Sequence, residues 1–416
     1  MLRSVRLQNL RSFVDTGSIE LRHLNVFIGA NNAGKTSFLS AIELVLQSAR
    51  EGGASGPLAF EAIPNFASFD SVLRRHWSPT EQRPTEFTIS FERDGYRGTR
   101  AFHEFKCRGR PKDNTTYVAE ATYKHGESEF TLASQSPSPR RPQYQIRSGR
   151  KVFNESRIFF HQLIPIGPHL RIPGVEKFLR SADRFLNVEV VHPYRPVPRS
   201  FYVLDDPSLS LADRELLSFL LRVWASEETH VIAIRNRIVD NLRGLRLVNA
   251  FEVQQVSKRY GPKVIEIRVA PTIRRHRVTI ADAGFGLSQV LPLAAYDARL
   301  SKGYFLAYQP EVHLHPFAQS RLADLFARSV ARGNQVFVET HSPDLVLRLQ
   351  QQVAKGDLPA KAVRVFCVEN RGGKSNLKSV DFTSAGSPAI PWPAGFLDTS
   401  LTLARELASQ RIARKK

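Results

Sequence analysis

Two glycines, a lysine and a threonine in the stretch Gly29-Ala30-Asn31-Asn32-Ala33-Gly34-Lys35-Thr36 have the types and spacing needed to hold a phosphate. The glycines let backbone N–H groups curl around the phosphate, Lys35 brings positive charge to its oxygens, and the Thr36 hydroxyl is a ligand for Mg²⁺. A buried strand is predicted directly before this loop and a helix directly after it. The sequence therefore predicts a P-loop for ATP or GTP with Mg²⁺, with Thr36 as the metal ligand. The nucleotide-binding residues predicted here are Gly29, Asn31, Asn32, Gly34, Lys35, Thr36 and Ser37.

The elements that must position this loop follow from hydrophobic periodicity. Period-two alternation from Glu86 to Phe130, interrupted by a turn at Asp94-Gly95, predicts a β-rich antiparallel arm. Ser210 and Asp213 predict the capped start of a helix that reaches Trp224. Further strands are predicted at residues 5–10, 19–21, 264–269 and 277–280, and in two apolar runs that end at residues 308 and 339.

Two other segments have distinct patterns. The segment from Gln135 to Arg150 is rich in Ser, Pro and Arg with almost no aliphatic residues, which predicts an exposed loop or short linker. A late hairpin is predicted from Val363 to Glu369 and the residues after Gly373. The sequence has no tandem repeat and no sustained heptad pattern, so we expect no long coiled-coil arm.

Basic residues far outnumber acidic ones, with 59 Lys and Arg against 39 Asp and Glu and a formal charge of +20. A surplus of this size attracts polyanions through counterion release; nucleic acid is the commonest, and membrane surfaces and acidic proteins are alternatives. Each basic cluster alone is typical of a solvated face. The clusters lie at residues 140–141, 147–151, 274–277 and 414–416. The total charge predicts a nucleic-acid partner.

The remaining composition excludes several classes of protein. No stretch approaches the roughly 20 consecutive apolar residues of a membrane-spanning helix, and the first residues lead into a strand pattern rather than a signal peptide. Cys107 and Cys367 are the two cysteines, which excludes a disulfide framework and a cysteine-based zinc site. We therefore expect a cytoplasmic protein without a membrane partner.

The asparagine-rich loop, preceded by Asn9-Leu10-Arg11-Ser12-Phe13, strongly resembles that of the SMC-like and OLD-like ATPases of the ABC class. Three later segments extend the resemblance over most of the chain. They resemble the ABC signature, the Walker B strand with its D-loop, and the switch-histidine strand, at residues 282–292, 304–316 and 337–342. Pro193-Tyr194-Arg195 with Pro198-Arg199, and residues 391–396, are similar to further segments of the same subgroup.

The resemblance assigns the signature segment to a nucleotide shared between subunits. Gly286, Ser288 and Gln289 are implied to present N–H groups and a hydroxyl to the γ-phosphate held by the opposite subunit. A homodimer or higher homo-oligomer is therefore implied. Without the resemblance, this segment is a glycine turn before a helix.

The resemblance also implies a catalytic set at the ends of two strands. Gln309, Glu311 and His341 are its members, with the imidazole of His341 sensing the γ-phosphate. The alternatives are metal binding by His313, His315 and His341, or a hydrogen-bonded loop role for His341. Agreement of strand order and spacing favours the switch role.

The chain departs from the family pattern at the end of the Walker B strand. An acidic residue that holds Mg²⁺ is usual there, followed by Glu or Gln, but this chain has Tyr308 and Gln309. A neutral phenol is a poor magnesium ligand, and glutamine cannot accept a proton. We expect slow or absent hydrolysis unless Glu311 or Glu339 reaches the site and compensates.

The expected fold is α/β, an ABC-type P-loop NTPase head with a mixed sheet, a β-rich arm and a helical signature subdomain. The expected divisions are an N-terminal lobe with the P-loop and arm, a helical insert subdomain, a C-terminal lobe with the later motifs, and a C-terminal extension. Their boundaries are residues 1–160, 161–262, 263–385 and 386–416.

The resemblance implies a dimeric switch or clamp that uses ATP and Mg²⁺ to control nucleic-acid contact or a separate effector such as a nuclease, in anti-phage defence or DNA repair. No nuclease constellation follows His341, so any cleavage is expected from a partner. The first alternative is a non-hydrolysing scaffold or sensor that binds ATP. The second, the ATPase subunit of a membrane transporter, disagrees with the signature subtype and the basic charge.

Overall fold

The fold is that of a computed structural model of the 416-residue chain. It describes all residues except 52–55, 64–65, 67, 75–82, 96–97, 111, 136–142, 156–157, 162, 167–186, 194, 196, 258–262, 273–275, 393–395 and 397–416. The strands are β1 (Leu2–Leu10), β2 (Phe13–Asp15), β3 (Ile19–Glu20), β4 (Leu24–Ile28), β5 (Phe87–Asp94), β6 (Arg100–Gly109), β7 (Thr116–His125), β8 (Ser128–Ser134), β9 (Tyr144–Ser148), β10 (Lys151–Glu155), β11 (Phe159–His161), β12 (Ile164–Ile166), β13 (Val188–Val191), β14 (Tyr202–Val203), β15 (Val248–Gln255), β16 (Val264–Pro271), β17 (Val278–Thr279), β18 (Tyr304–Tyr308), β19 (Gln335–Glu339), β20 (Val363–Arg371) and β21 (Lys374–Val380). The helices are α1 (Lys35–Glu51), α2 (Phe69–Val72), α3 (Leu211–Ala225), α4 (Thr229–Gly244), α5 (Phe285–Arg299), α6 (Pro316–Ala331) and α7 (Pro343–Lys355).

A six-stranded sheet with the order β13-β18-β19-β4-β20-β21 carries the P-loop. The first five strands are parallel, and β21 is antiparallel to β20. All residues of β4, β18 and β19 are buried, as expected for central strands that are covered on both faces. The two strands predicted to end at Tyr308 and Glu339 are confirmed, and these two residues are register partners at the carboxyl edge of the sheet.

The edge strand β13 lies in a proline-punctuated segment for which periodicity predicted no strand. It pairs in parallel with β18, and Val191 is the register partner of Ala307. The next residue, His192, therefore lies beside Tyr308 at the same carboxyl edge. Only the neighbouring strand reveals β13, because four residues are too few for a periodic pattern.

The predicted β-rich arm is a nine-stranded antiparallel sheet with the order β10-β9-β8-β7-β6-β5-β1-β2 and β3 beside β1. The turn predicted at Asp94-Gly95 joins β5 to β6. The prediction of a loop from Gln135 to Arg150 is wrong for β9. Tyr144 and Ile146 alternate with polar residues and are buried, so this segment extends the sheet.

Two hydrophobic cores lie on opposite faces of the six-stranded sheet. α1 and the arm pack on one face, in a core that includes Phe27, Phe38 and Tyr308. α3 to α7 and the small sheet of β14 to β17 pack on the other face. The predicted capping of α3 is confirmed, because the Ser210 hydroxyl accepts a hydrogen bond from the Asp213 amide.

Several further predictions concern the surface and the cysteines. Both cysteines are free and buried. No helix in the described part of the chain is long and apolar enough to cross a membrane. Of the predicted basic clusters, residues 140–141, 274–275 and 414–416 lie outside the described residues, whereas Arg150 and Lys151 are exposed where β9 meets β10.

Candidate functional site

The P-loop joins β4 to α1, and its backbone conformation requires its glycines. Gly29 has a φ of +143°, and a Cβ there would lie 2.2 Å from the carbonyl oxygen of Val368. Gly34 has a φ of +110°, and a Cβ there would lie 2.9 Å from the Ser375 hydroxyl. Asn32 has a φ of +60°, which asparagine tolerates better than most residues. Two positions predicted to approach the phosphate are thus positions where no side chain fits.

A cavity of about 570 Å³ opens over this loop. Its volume is typical of small-ligand sites, which span roughly 300–1,000 Å³. The lining consists of Arg11, Ser12, Asn31, Asn32, Gly34, Lys35, Thr36, Ser37, Gln309, Glu339 and His341. Most predicted P-loop residues, together with the catalytic candidates Gln309 and His341, therefore share one polar cavity.

Lys35 is buried and bound to the loop itself. Its ammonium donates hydrogen bonds to the carbonyl oxygens of Gly29 at 3.0 Å and Ala30 at 2.8 Å. Burial lowers the pKa of Lys35, while the nearby carboxylates of Glu339 and Glu311 act in the opposite direction. Charge-assisted hydrogen bonds to phosphate oxygens are stronger than those to carbonyls, so a phosphate in the cavity would compete well for this ammonium.

Glu339, at the end of β19, lies beside Thr36 and lines the cavity. The Thr36 hydroxyl donates to Glu339 Oε1 at 2.8 Å. Oε2 is buried and has no hydrogen-bond partner among the described residues. Burial raises the pKa of Glu339, against the opposing effects of Thr36, Lys35 and the side chain of Gln309. A hydroxyl beside a carboxylate with one unpaired oxygen fits the oxygen ligands that Mg²⁺ prefers.

The three predicted catalytic residues lie at the ends of β18 and β19. Gln309 has a φ of +44°, and its backbone N–H donates to the backbone carbonyl of Glu339 at 2.8 Å. The amide of His341 donates to Glu311 Oε1 at 2.7 Å, and burial raises the pKa of Glu311. Burial and Lys35 lower the pKa of His341, which keeps its imidazole neutral near pH 7. Glu311 thus holds the backbone of His341 and is not part of the cavity lining.

Tyr308 is turned away from the cavity, toward α1. Its hydroxyl donates to Glu43 Oε2 at 2.6 Å, and its side chain is buried. Its ring stacks on that of His192 with 5.2 Å between centroids, and His192 Nε2 lies 3.3 Å from Glu43 Oε1. Burial and Glu43 raise the pKa of Tyr308 well above its ordinary value, so the phenol stays neutral. We refer to Glu43, His192 and Tyr308 as the Tyr308 cluster.

The signature segment lies outside the lining of this chain's own cavity. The hydroxyl of Ser288 donates to the carbonyl of Phe285 at 2.7 Å. A Cβ on Gly286 would lie 2.7 Å from the carbonyl oxygen of His313, so the segment packs closely on the D-loop. The Phe285 side chain is 41% exposed and meets the His313 ring edge to face at 4.7 Å. The predicted set of Gly286, Ser288 and Gln289 therefore does not meet the P-loop of the same chain.

The alternative of a histidine metal site has no support in the described part of the chain, where no group of three or more His, Cys, Asp and Glu side chains could hold a metal ion. His313 instead packs against the signature segment. His315 caps α6, because its Nδ1 accepts a hydrogen bond from the Phe317 amide at 3.3 Å.

Some residues with contacts in or beside the site had no predicted role. Arg11 lines the cavity and donates to the Ser37 hydroxyl at 3.2 Å. Arg195 binds the backbone of the turn that carries Gln309. Glu43 is detectable in the sequence, because an acidic residue on the apolar face of a helix must have a partner.

Comparison with known proteins agrees with this geometry. The sequence model of a family described as an AAA ATPase domain matches residues 1–92 and 234–346, which contain the P-loop and the three later motifs. The chain carries an AAA ATPase domain. No curated protein sequence matches it significantly.

The fold of this AAA ATPase domain is similar to that of SMC heads. An SMC head bound to the C-terminal winged-helix domain of ScpA has a TM-score of 0.50 and 14% identity, over 92% of this chain and 98% of that one. An SMC head with an extended coiled coil, bound to the C-terminal domain of ScpA from Pyrococcus furiosus, has a TM-score of 0.46 and 14% identity over 98% and 99% of the two chains. The SMC head domain from Thermotoga maritima has a TM-score of 0.45 and 12% identity over 91% and 98%. The first similarity confirms the predicted ABC-type P-loop head as a fold.

Proposed function

We propose that this AAA ATPase domain is a nucleotide-dependent switch or clamp that binds ATP with Mg²⁺ and acts as a homodimer or higher homo-oligomer. The observation that carries the proposal is the polar cavity in which Lys35, Thr36 and the half-satisfied carboxylate of Glu339 meet. These groups match the charge and oxygen ligands of a magnesium nucleotide.

The chain's own residues divide the work at this site. The backbone of the P-loop and the Lys35 ammonium would hold the phosphates, while Thr36 and Glu339, which share a hydrogen bond, would hold Mg²⁺. The ion, when bound, neutralises charge on the phosphate oxygens during phosphoryl transfer. Gln309 lines the cavity and would orient a water molecule there, but its side chain cannot take the proton, which supports slow hydrolysis.

The position of the signature segment supports assembly. Its residues lie outside the cavity of their own chain, so they can serve a nucleotide held by a second copy. Phe285 and Phe317, at the starts of α5 and α6, are 41% and 45% exposed. Exposed aromatic residues beside such a segment are suited to burial against another subunit.

The surplus of 20 positive charges supports nucleic acid as the controlled partner, and a separate effector such as a nuclease is the other candidate. One SMC head of similar fold is bound to a domain of ScpA, and we propose a separate partner protein here as well. We place the system in anti-phage defence or DNA repair and in the cytoplasm, as the motif resemblance implies.

The test of the switch is the mass of the protein in solution, measured by light scattering without nucleotide, with Mg–ATP and with Mg–ADP. Assembly with ATP alone supports the proposal. Phe285→Arg should abolish assembly while ATP still binds, and Leu211→Arg, at the 74% exposed start of α3, is the matched control. Equal mass in all three conditions contradicts the switch.

The second candidate is a scaffold or sensor that binds ATP without hydrolysing it. The Tyr308 cluster favours it, because Tyr308 contributes no carboxylate to the cavity. Assembly with ATP that persists for many hours, with no phosphate released, identifies the scaffold. Retention of a DNA fragment at about 50 mM salt tests the nucleic-acid partner for both candidates.

A further inference from the structure

The guanidinium of Arg195 joins three separate segments of the chain. Its Nε donates to the carbonyl of His192 at 3.1 Å, at the end of β13. Its Nη1 donates to the carbonyl of Gln289 at 2.8 Å, inside α5. Its Nη2 donates to the carbonyls of Tyr308 at 3.2 Å and Gln309 at 3.1 Å, in the turn after β18.

These three segments have different relations to the nucleotide cavity. Gln309 lines the cavity, and its positive φ marks a turn held in a conformation that favours glycine. Gln289 lies in the signature segment, which is outside that lining. One side chain therefore spans the distance from the cavity wall to the segment proposed to meet a second subunit.

A packing role alone does not explain why the guanidinium of Arg195 is buried between these segments. All four hydrogen-bond acceptors are backbone carbonyls, and no carboxylate forms an ion pair with Arg195 within the described ranges. Burial lowers the pKa of Arg195 to about 10, against the opposing effect of the nearby Glu311 carboxylate. Burying a cation without a direct ion pair is costly, whereas the rigid fork of a guanidinium fixes several acceptors at once.

The first turn of α5 is suited to movement. Pro292 lies inside this helix and has no N–H, so it cannot donate to the carbonyl of Ser288. The turn that carries Gly286 and Ser288 is thus tied to the rest of the helix by one hydrogen bond fewer. The carbonyl of Gln289, bound by Arg195, directly follows this weak point.

We propose that Arg195 is a positioning residue that couples the Gln309 turn to the first turn of the signature helix. A phosphate that binds next to Gln309 shifts this turn and with it the carbonyls of Tyr308 and Gln309, which Nη2 binds. The planar guanidinium then transmits this displacement to Gln289 and thereby to Ser288. The coupling rests on the proposed nucleotide binding, and it supplies the route by which the nucleotide prepares the face for a second copy.

The test is hydrogen exchange of the amides of residues 285–291, with and without Mg–ATP, at a protein concentration where light scattering shows monomers. ATP should change exchange there by about fivefold or more, the lower range of measured allosteric couplings. Arg195→Met should bind ATP as the parent does and lose this response. Arg195→Lys keeps the charge without the fork, so it should also bind ATP as the parent does and show little of the response.

Arg199→Met is the matched control. Arg199 lies in the same segment but pairs with Asp206 at 2.7 Å and donates to the Ser208 hydroxyl, away from the cavity. It should respond to ATP as the parent does. Where Arg195→Met does not fold, the comparison of Arg195→Lys with the parent decides.

Two outcomes overturn the coupling: a full α5 response in an Arg195 variant that binds ATP, or no α5 response in the parent although ATP binds. Failure of the proposed switch gives a different result. An α5 response that depends on Arg195 without any assembly at higher concentration removes the switch and leaves the coupling. Assembly with ATP that ignores Arg195 removes the coupling alone.

Discussion

Neighbouring strands of the six-stranded sheet end in residues that contact α1 in two different ways. At the end of β19, Glu339 accepts from Thr36 in the first turn of α1 and faces the cavity. At the ends of β18 and β13, Tyr308 and His192 instead contact Glu43, about 10 Å further along the same helix. The first contact leaves a carboxylate oxygen unpaired, and the second engages both carboxylate oxygens.

This difference separates a ligand site from a structural contact. A buried carboxylate with an unpaired oxygen costs free energy until a cation reaches it, whereas a fully bonded one does not need a ligand. Glu339 is therefore prepared for Mg²⁺, and Glu43 is already satisfied within the chain. In the proposed site the metal-binding role falls to Glu339 at the end of β19, while the neighbouring strand end at Tyr308 anchors α1.

The largest effect on ATP binding is expected at the phosphate end, from Lys35→Ala. Loss of a charge-assisted contact to phosphate should weaken ATP binding by about 30- to 100-fold, or roughly 2–3 kcal/mol. Titration calorimetry with Mg–ATP measures this directly. Lys302→Ala, at an exposed lysine before β18, is the control and should bind as the parent does. Equal affinity in both variants would contradict the assignment of the cavity.

Glu339→Gln should separate metal binding from nucleotide binding. Glutamine still accepts the hydrogen bond from Thr36 but offers Mg²⁺ no charge, so the gain in ATP affinity on adding Mg²⁺ should shrink by about tenfold. Calorimetry with and without Mg²⁺ measures that gain. An unchanged gain would show that another group holds the ion.

The raised pKa of Glu339 also predicts that the stability of the protein without nucleotide depends on pH. A carboxyl whose pKa is raised in the folded state binds more protons there, so its contribution to stability falls as the pH rises from about 4.5 through the raised value. The thermal stability of the parent, measured relative to that of Glu339→Gln, should therefore fall between pH 5 and pH 8. A constant difference between the two proteins over that range would contradict the buried charge.

Sequence patterns predicted the phosphate end far better than the anchored end. The P-loop, the strands that end at Tyr308 and Glu339, and the capped start of α3 follow from local rules, because each depends on residues near it in the chain. The Tyr308 cluster depends on β13, whose place beside β18 is set by tertiary packing. The family pattern puts a metal-binding acid at position 308, and the tyrosine there predicted the loss of that ligand. It did not predict that the phenol contacts a carboxylate on α1.

Tyr308→Glu tests this anchor and the limit on hydrolysis together. Because the new carboxylate would lie beside buried Glu43, two like charges should destabilise the fold by about 3–5 kcal/mol. Tyr308→Phe, which removes one hydrogen bond to Glu43, should cost about 1–3 kcal/mol. Chemical denaturation measures both values. A smaller loss for Glu than for Phe would contradict the contact with Glu43.

The double variant Tyr308→Glu with Glu43→Gln removes the like-charge contact and so makes the hydrolysis test interpretable. If Tyr308 limits hydrolysis, this variant should release phosphate faster than the parent and faster than Glu43→Gln alone. Phosphate release under saturating Mg–ATP is the measurement. No gain over Glu43→Gln would place the limit elsewhere, for example at Gln309, which cannot accept the proton.

The smallest effect is expected from His192→Gln, at the exposed end of the cluster. The hydrogen bond to Glu43 raises the pKa of His192 above its ordinary value of 6.5. A raised histidine pKa contributes stability that is fully present below about pH 6.5 and is lost as the pH rises through the folded-state value. Since the His192 side chain is 55% exposed, solvent screening should keep the contribution below about 1 kcal/mol. The variant should therefore lose more stability at pH 6 than at pH 8.5, and in Glu43→Gln the substitution at His192 should lose this pH dependence. A loss that is equal at both pH values would mean that His192 supports the cluster by stacking on Tyr308 alone.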